Sequence, residues 1–179
     1  MGLRLLVLLA VACVACTGAV ASAAHGRRNV AGPRIPALPA HGILAANRCP
    51  IPRRFRTAFV RAARDTGFQL SMLVAVAEVE SRFQPDAVSS ADARGLLQVL
   101  PSTARSLKLD PDTPATNVLA GARYLRLLLD RYSSTDLALA AYNAGPTAVD
   151  HAGGIAPTAE TVAYVENVQA RWRALAGCR

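Results

Sequence analysis

Ser71-Met72-Leu73-Val74-Ala75-Val76-Ala77-Glu78-Val79-Glu80-Ser81-Arg82-Phe83-Gln84-Pro85 reads as a helix from its composition and its punctuation. Ser71 can cap the start and Pro85 ends the run. At about 100° per residue, with Met72 at zero, Val76 falls at about 40°, Leu73 at about 100° and Ala77 at about 140°. Glu80 falls at about 80° on the same wheel, inside the apolar arc. Glu78 falls at about 240°, beside Arg82 at about 280°, where an acid with a cationic neighbour is ordinary. Glu80 is therefore the residue out of place. A carboxyl on an apolar face lines a cleft, pairs with a buried cation, or loses solvent and gains a raised pKa, as a general acid needs. From the wheel alone a buried Glu–Arg pair and a functional acid stand level.

Outward from this segment the chain reads as further helices. Phe55, Phe59, Ala62, Ala63 and Thr66 share a face, with Gly67 as a stop. A polar loop holds Asp86, Ser89, Ser90, Asp92 and Gly95. Ser102, after Pro101, opens a short helix that Asp110, Pro111 and Pro114 break. Leu119, Ala122, Leu125, Leu129 and Tyr132 recur at helical spacing. Asp136 can cap Leu137 to Asn143, ended by Gly145-Pro146; Gly153-Gly154 marks a loop. Thr158, after Pro157, opens a last helix carrying Val162, Val165, Val168 and Trp172. No stretch alternates as a strand does, so the expected class is mainly α, with at most a short hairpin in 86–100.

The loop after Glu80-Ser81 adds candidate binding groups. Gly95-Leu96-Leu97-Gln98 offers a flexible approach point, two apolar side chains and an amide. Tyr142-Asn143 places an aromatic and an amide at a helix end. A pocket for an amide-bearing sugar needs apolar surface and a few placed polar groups of this kind. Each alone has a bland reading: Tyr142 as core, Asn143 and Gly145 as a helix cap.

Taken in order, these stretches resemble the SLT-type catalytic domain of the lytic transglycosylases that cleave peptidoglycan. The matching segments are 76–85, Ser89 through Thr103, Asn117 through Leu128 with Gly121 and Tyr124-Leu125, Ala138 through Pro146, and Glu160-Thr161-Val162-Ala163-Tyr164-Val165. The resemblance covers about 55 to 175 and implies a lysozyme-like fold, a helical bundle around a substrate cleft. It implies that Glu80 is the single catalytic acid/base. Glu80 would protonate the glycosidic oxygen between N-acetylmuramic acid and N-acetylglucosamine, then take the proton from the muramic 6-hydroxyl. That hydroxyl attacks its own anomeric carbon and leaves a 1,6-anhydro end. By the same resemblance Ser81 positions the acetamido group or Glu80, Gln98, Tyr142 and Asn143 line the cleft, Tyr164 holds Glu80, and Glu160 is structural. Asp92 stands where the family usually has Gly, and Leu97 where Met is more frequent; Leu for Met conserves volume.

Ordinary glycosidases use two facing carboxylates. Glu80 has no evident partner, which fits a substrate-assisted route. A water-using muramidase on the same fold would need Asp86 or Asp92 as a second base. A silent glycan-binding module would keep Gln98 and Tyr142 but would not need Glu80.

The 179 residues hold 20 basic and 12 acidic side chains, enough chain for one domain. Met1 to Arg4, the apolar run to Val11 and the small residues to Ala24 have the three parts of an export signal, cut after Ala23 or one residue later. A retained anchor and a lipoprotein site at Cys13 or Cys16 are the rival readings. Residues 24–48, rich in Pro, Gly and Arg without an acid, read as a linker, and 49–179 as the domain. From Cys49 onward the net charge is only +3, so the basic total does not point to nucleic acid. Export would leave Cys49 and Cys178, either free thiols or a bridge closing about 130 residues and contributing roughly 5 kcal/mol at most. His25, His41 and His151 are scattered, so no metal and no cofactor is expected. The expected partner is the peptidoglycan strand, met by a monomer outside the cytoplasm, in the cell wall or periplasm, without stable membrane insertion after signal removal.

Overall fold

A computed structural model describes residues 48–155 and 158–179. The leader and all of the linker before Arg48 lie outside the described residues. After a 3-10 turn at Arg53–Phe55 come α1 (Arg56–Thr66), α2 (Leu70–Ser81), α3 (Pro101–Ser106), α4 (Pro114–Tyr132), α5 (Thr135–Ala144), α6 (Pro146–Ala152) and α7 (Ala159–Ala174). Among the described residues there is no strand; the 86–100 hairpin reduces to isolated bridges, Val88 to Arg94 and Arg94 to Val99.

Local chemistry sets the ends. Gly67 closes α1 at φ 72°, a conformation that costs glycine little. Pro114 opens α4 at its first turn, with the Thr113 hydroxyl accepting from the Thr116 amide at 3.2 Å. Thr158 caps α7 in the same way, accepting from the Thr161 amide at 3.1 Å.

Four boundaries differ from the sequence reading. Gln69, not Ser71, precedes α2, and the Ser71 hydroxyl is buried within its first turn. Ser134, not Asp136, caps α5, because the helix begins two residues earlier than its apolar pattern. α6 starts directly at Pro146, whose fixed φ suits a first helical residue, so Gly145-Pro146 joins two helices. α2 stops at Ser81 rather than near Pro85, since Arg82 and Phe83 both take left-handed φ, 51° and 61°. Such residues cost on the order of 1–2 kcal/mol each. Packing holds them: the Phe83 ring lies tilted on Phe59, centroids 5.6 Å apart.

α2 is the centre of the core. Every residue from Ser71 to Ala77 is buried, so this half of the helix has no single apolar face. α1 packs along α4, α4 along α5, and α7 along both α2 and α5. Four successive buried residues, Ala138-Leu139-Ala140-Ala141, let α5 approach its neighbours closely. The first and last of the described residues meet: Cys49 and Cys178 form a disulfide, Cα atoms 4.7 Å apart, and the Cys49 amide donates to the Arg179 oxygen at 3.3 Å.

Candidate active site

Glu80 is the penultimate residue of α2, where the helix leaves the core. It is partly buried, and its Oε1 accepts a 2.7 Å hydrogen bond from the Tyr164 hydroxyl. Loss of solvent pushes its pKa from 4.5 up to about 7, against the downward pull of that hydrogen bond. No cation pairs with it among the described residues, which removes the buried Glu–Arg alternative. Glu78 pairs with Arg171 of α7 and not with the expected Arg82, because α7 lies against this side of α2. The two carboxyls, two residues apart, therefore have opposite electrostatic settings.

The tyrosines belong to the same cluster. Burial drives both Tyr142 and Tyr164 well above their usual pKa, and the nearby Glu80 carboxylate adds to the effect on each. Both stay neutral donors. Tyr142 donates to the Leu97 carbonyl at 2.8 Å and stacks tilted on Tyr124, centroids 5.5 Å apart. A hollow of about 200 Å³ beside them is lined by Gln98, Leu100, Thr103, Tyr124, Tyr142 and Asn143, among others. A larger hollow, about 620 Å³, lies at the start of α2 near Cys178.

The loop at 94–98 forms one wall. Leu96 and Leu97 are fully buried, so they anchor the loop and do not offer the apolar sugar platform expected of them. Gln98 sits at φ 44° and its Nε2 donates to the carbonyls of Ala87 (3.1 Å) and Gly95 (2.9 Å). Its amide thus fixes the loop while the residue lines the hollow. The Ser81 hydroxyl is buried and within reach of the Leu96 (2.9 Å) and Ala77 (3.3 Å) carbonyls. Ser81 ties the end of α2 to this loop.

Two residues without an assigned role hold the site. Asn117, buried in the first turn of α4, accepts from the Leu97 amide at 2.9 Å and donates to the carbonyls of Arg94 (2.7 Å) and Pro111 (3.2 Å). It lies in line with Gly121, Tyr124 and Leu128 on the helix wheel. An amide in that apolar row was the same signal that exposed Glu80. Thr161 donates to Asn143 Oδ1 at 2.9 Å. Thr161 and Tyr164, one turn apart on α7, thus fix Asn143 and Glu80 together.

Asp92 is engaged by Arg94 at 3.0 Å, and Arg94 reaches Asp112 at 3.1 Å. Asp86 is exposed. Neither acid makes a hydrogen bond to Glu80 or contributes to its raised pKa. Among the described residues, no cluster of three His, Cys, Asp or Glu residues could hold a metal ion.

The site thus holds a desolvated carboxyl at a helix end, steadied by a tyrosine. The family model for the transglycosylase SLT domain matches residues 57–165. The chain belongs to that family. The SLT domain here is 38% identical over 107 residues to a membrane-bound lytic murein transglycosylase F of Maricaulis maris, covering 55% of this chain and 23% of that protein. It is 32% identical over 144 residues to a putative soluble lytic murein transglycosylase of Haemophilus influenzae, covering 67% and 24%. Among solved structures it is similar to the 70 kDa soluble lytic transglycosylase of Escherichia coli, with TM-score 0.60, 29% identity, and coverage of 71% and 25%. A lytic transglycosylase of Pseudomonas aeruginosa, solved as an inactive Glu-to-Gln mutant, gives TM-score 0.59 at 28% identity, covering 73% and 25%. The chain thus spans about a quarter of the length of these relatives. The fold is the mainly α, lysozyme-like fold of these neighbours.

Proposed function

We propose that this SLT domain is a peptidoglycan lytic transglycosylase that cleaves the β-1,4 bond between N-acetylmuramic acid and N-acetylglucosamine. The observation that carries the proposal is Glu80: a carboxyl with a pKa of about 7, one tyrosine donor and, among the described residues, no second carboxylate bonded to it. Near neutral pH it is present in both forms, as a residue that acts first as acid and then as base requires. The protonated carboxyl gives its proton to the glycosidic oxygen as the C–O bond breaks. The substrate's acetamido group stabilises the anomeric cation, the part a second carboxylate would otherwise take. The ionised Glu80 then removes the proton of the muramic 6-hydroxyl as that oxygen bonds to the anomeric carbon. The products are a 1,6-anhydro end and a free N-acetylglucosamine 4-hydroxyl, and no water is consumed. Tyr164 orients Glu80 and favours its ionised form for the second half. Gln98, Tyr142 and Asn143 shape the hollow that receives the sugar, and Ser81 supports its wall.

The reading places the protein outside the cytoplasm, exported by the segment 1–23, which agrees with relatives named as membrane-bound or soluble murein enzymes. No helix among the described residues is long and apolar enough to cross a membrane. The proposal is tested on purified sacculi, where Glu80→Gln abolishes solubilisation while Asp86→Asn/Asp92→Asn retains most of it. Loss of activity in the aspartate variant, with the fold intact, would instead give the water-activating base of a hydrolase.

A further inference from the structure

Five arginines lie on and just before α1: Arg53, Arg54 and Arg56 at its start, Arg61 at its middle and Arg64 in its last turn. The chain has no acid before Asp65, and all twelve Asp and Glu lie among the described residues. The ion pairs those acids make engage Arg94, Arg123, Arg126, Arg131 and Arg171. Arg56 donates to the Arg179 oxygen at 2.8 Å and Arg54 lies over the Phe55 ring at 4.6 Å. Arg53, Arg61 and Arg64 are exposed and pair with no side-chain carboxylate. On the α1 wheel Arg56, Val60, Arg64 and Arg61 span roughly 140°, opposite the buried Phe59, Ala62 and Thr66. A shallow groove of about 390 Å³ follows this face. It shares Val60 and Arg64 with the 620 Å³ hollow at the start of α2.

Helix stability accounts for Arg64, a cation in the last turn of α1, but not for the arginines at its start. The positive end of a helix dipole favours acids, yet the first turn of α1 has none and Arg53, Arg54 and Arg56 crowd it. The face also lacks what two common polyanionic partners need. Of the large apolar residues exposed among the described residues (Val88, Leu100, Leu127, Ile155 and Val162), none lies here, so nothing would insert into a lipid surface. Phe55 and Phe59 are buried, so no aromatic is free to stack on a nucleic-acid base. What remains is guanidinium alone, whose planar fork suits carboxylates.

We propose that the arginine face of α1 is a second contact for the wall polymer, binding the carboxylates of its peptide stems. This rests on the peptidoglycan reading of the cleft. Leu70 and Ser71 border the hollow and Glu80 closes the other end of α2, about 15 Å away at about 1.5 Å per residue. A strand seated in the cleft and peptides on a neighbouring strand can therefore engage one molecule at once. The second contact raises the local concentration of glycan at the cleft.

The test is co-sedimentation of the purified chain with peptidoglycan sacculi across a salt series, in a Glu80→Gln background so that the polymer persists. Arg53→Gln/Arg61→Gln/Arg64→Gln weakens binding roughly tenfold at low salt and flattens its salt dependence. Sacculi whose carboxyls have been amidated hold the parent chain as weakly as they hold the variant. Arg61→Glu alone reproduces the loss should the triple variant unfold. Equal binding of parent and variants, or indifference to amidation, overturns the proposal. So does stronger arginine-dependent binding to phosphatidylglycerol vesicles than to sacculi. The wild-type chain on the same untreated sacculi separates the two readings. Failure to release anhydro-ended fragments there sinks the enzymatic reading, while amidation-sensitive, arginine-dependent binding still upholds the surface.

Discussion

Glu80 has to lose a proton and regain it within one turnover, and its surroundings set the pH at which it does so. As the general acid it is mostly protonated at pH 6 and about a tenth protonated at pH 8. The rate of cleavage is therefore expected to fall about tenfold per unit above pH 7, measured as kcat/KM on soluble glycan strands. Tyr164→Phe removes the donor that favours the carboxylate. Its alkaline limb should move to higher pH, with kcat down about tenfold; an unmoved limb would remove Tyr164 from the mechanism. Stability carries the same signature. The folded chain keeps the Glu80 proton up to about pH 7, whereas the unfolded chain loses it near 4.5. Stability from this group is thus complete below pH 4.5 and declines as pH rises to 7, by about 3 kcal/mol at most. Glu80→Gln should melt above wild type at pH 8 and level with it at pH 4. At this scale the signal was a carboxyl at the end of an apolar run, although the single apolar face of the wheel did not hold, since Ser71 to Ala77 are buried all round. The wheel erred about Glu78, whose true partner, Arg171, is 93 residues away and answers to no local periodicity.

Between elements the site depends on how closely α4 approaches the 94–98 loop. Asn117 bonds to three backbone groups, the Leu97 amide and the Arg94 and Pro111 carbonyls, of which the Arg94 carbonyl also accepts from the Val99 amide. Asn117→Ala is expected to cost about 2–4 kcal/mol in urea unfolding. Activity should fall further than stability alone explains, since the Leu97 carbonyl that anchors Tyr142 belongs to the same loop. Gly121 allows the approach: a Cβ there would stand 2.6 Å from the Leu97 Cβ and 2.8 Å from the Tyr142 hydroxyl. Gly121→Ala should therefore cost about 1–3 kcal/mol and lower activity, read from the same unfolding and sacculus assays. Helix existence was legible from spacing and caps, because those signals are local. The end of α2 was not. Two left-handed residues without glycine stop it; the Arg82 and Phe83 amides bond back to the Glu78 and Ala77 carbonyls, and Phe83 packs on Phe59, a residue of the preceding helix. The burial of Leu96 and Leu97 was hidden for the same reason. Nothing in Gly95-Leu96-Leu97-Gln98 tells which way its leucines face.

In the whole domain, the disulfide joins two ends that the sequence could only bracket. Closing the loop between Cys49 and Cys178, separated by 129 residues, restricts the unfolded chain by up to roughly 5 kcal/mol. Cys49→Ser/Cys178→Ser should lower Tm by about 10–20 °C while leaving kcat near wild type at temperatures where the variant is folded. A large loss of kcat in the folded variant would place the bridge within the catalytic geometry. The most direct test of the account is mass spectrometry of the fragments released from sacculi digested in ¹⁸O-labelled water. The wild-type chain should release fragments with 1,6-anhydromuramic ends that carry no label, and Glu80→Gln should release none. Reducing muramic ends carrying the label would contradict the account, because they require an attacking water in place of the substrate's own 6-hydroxyl.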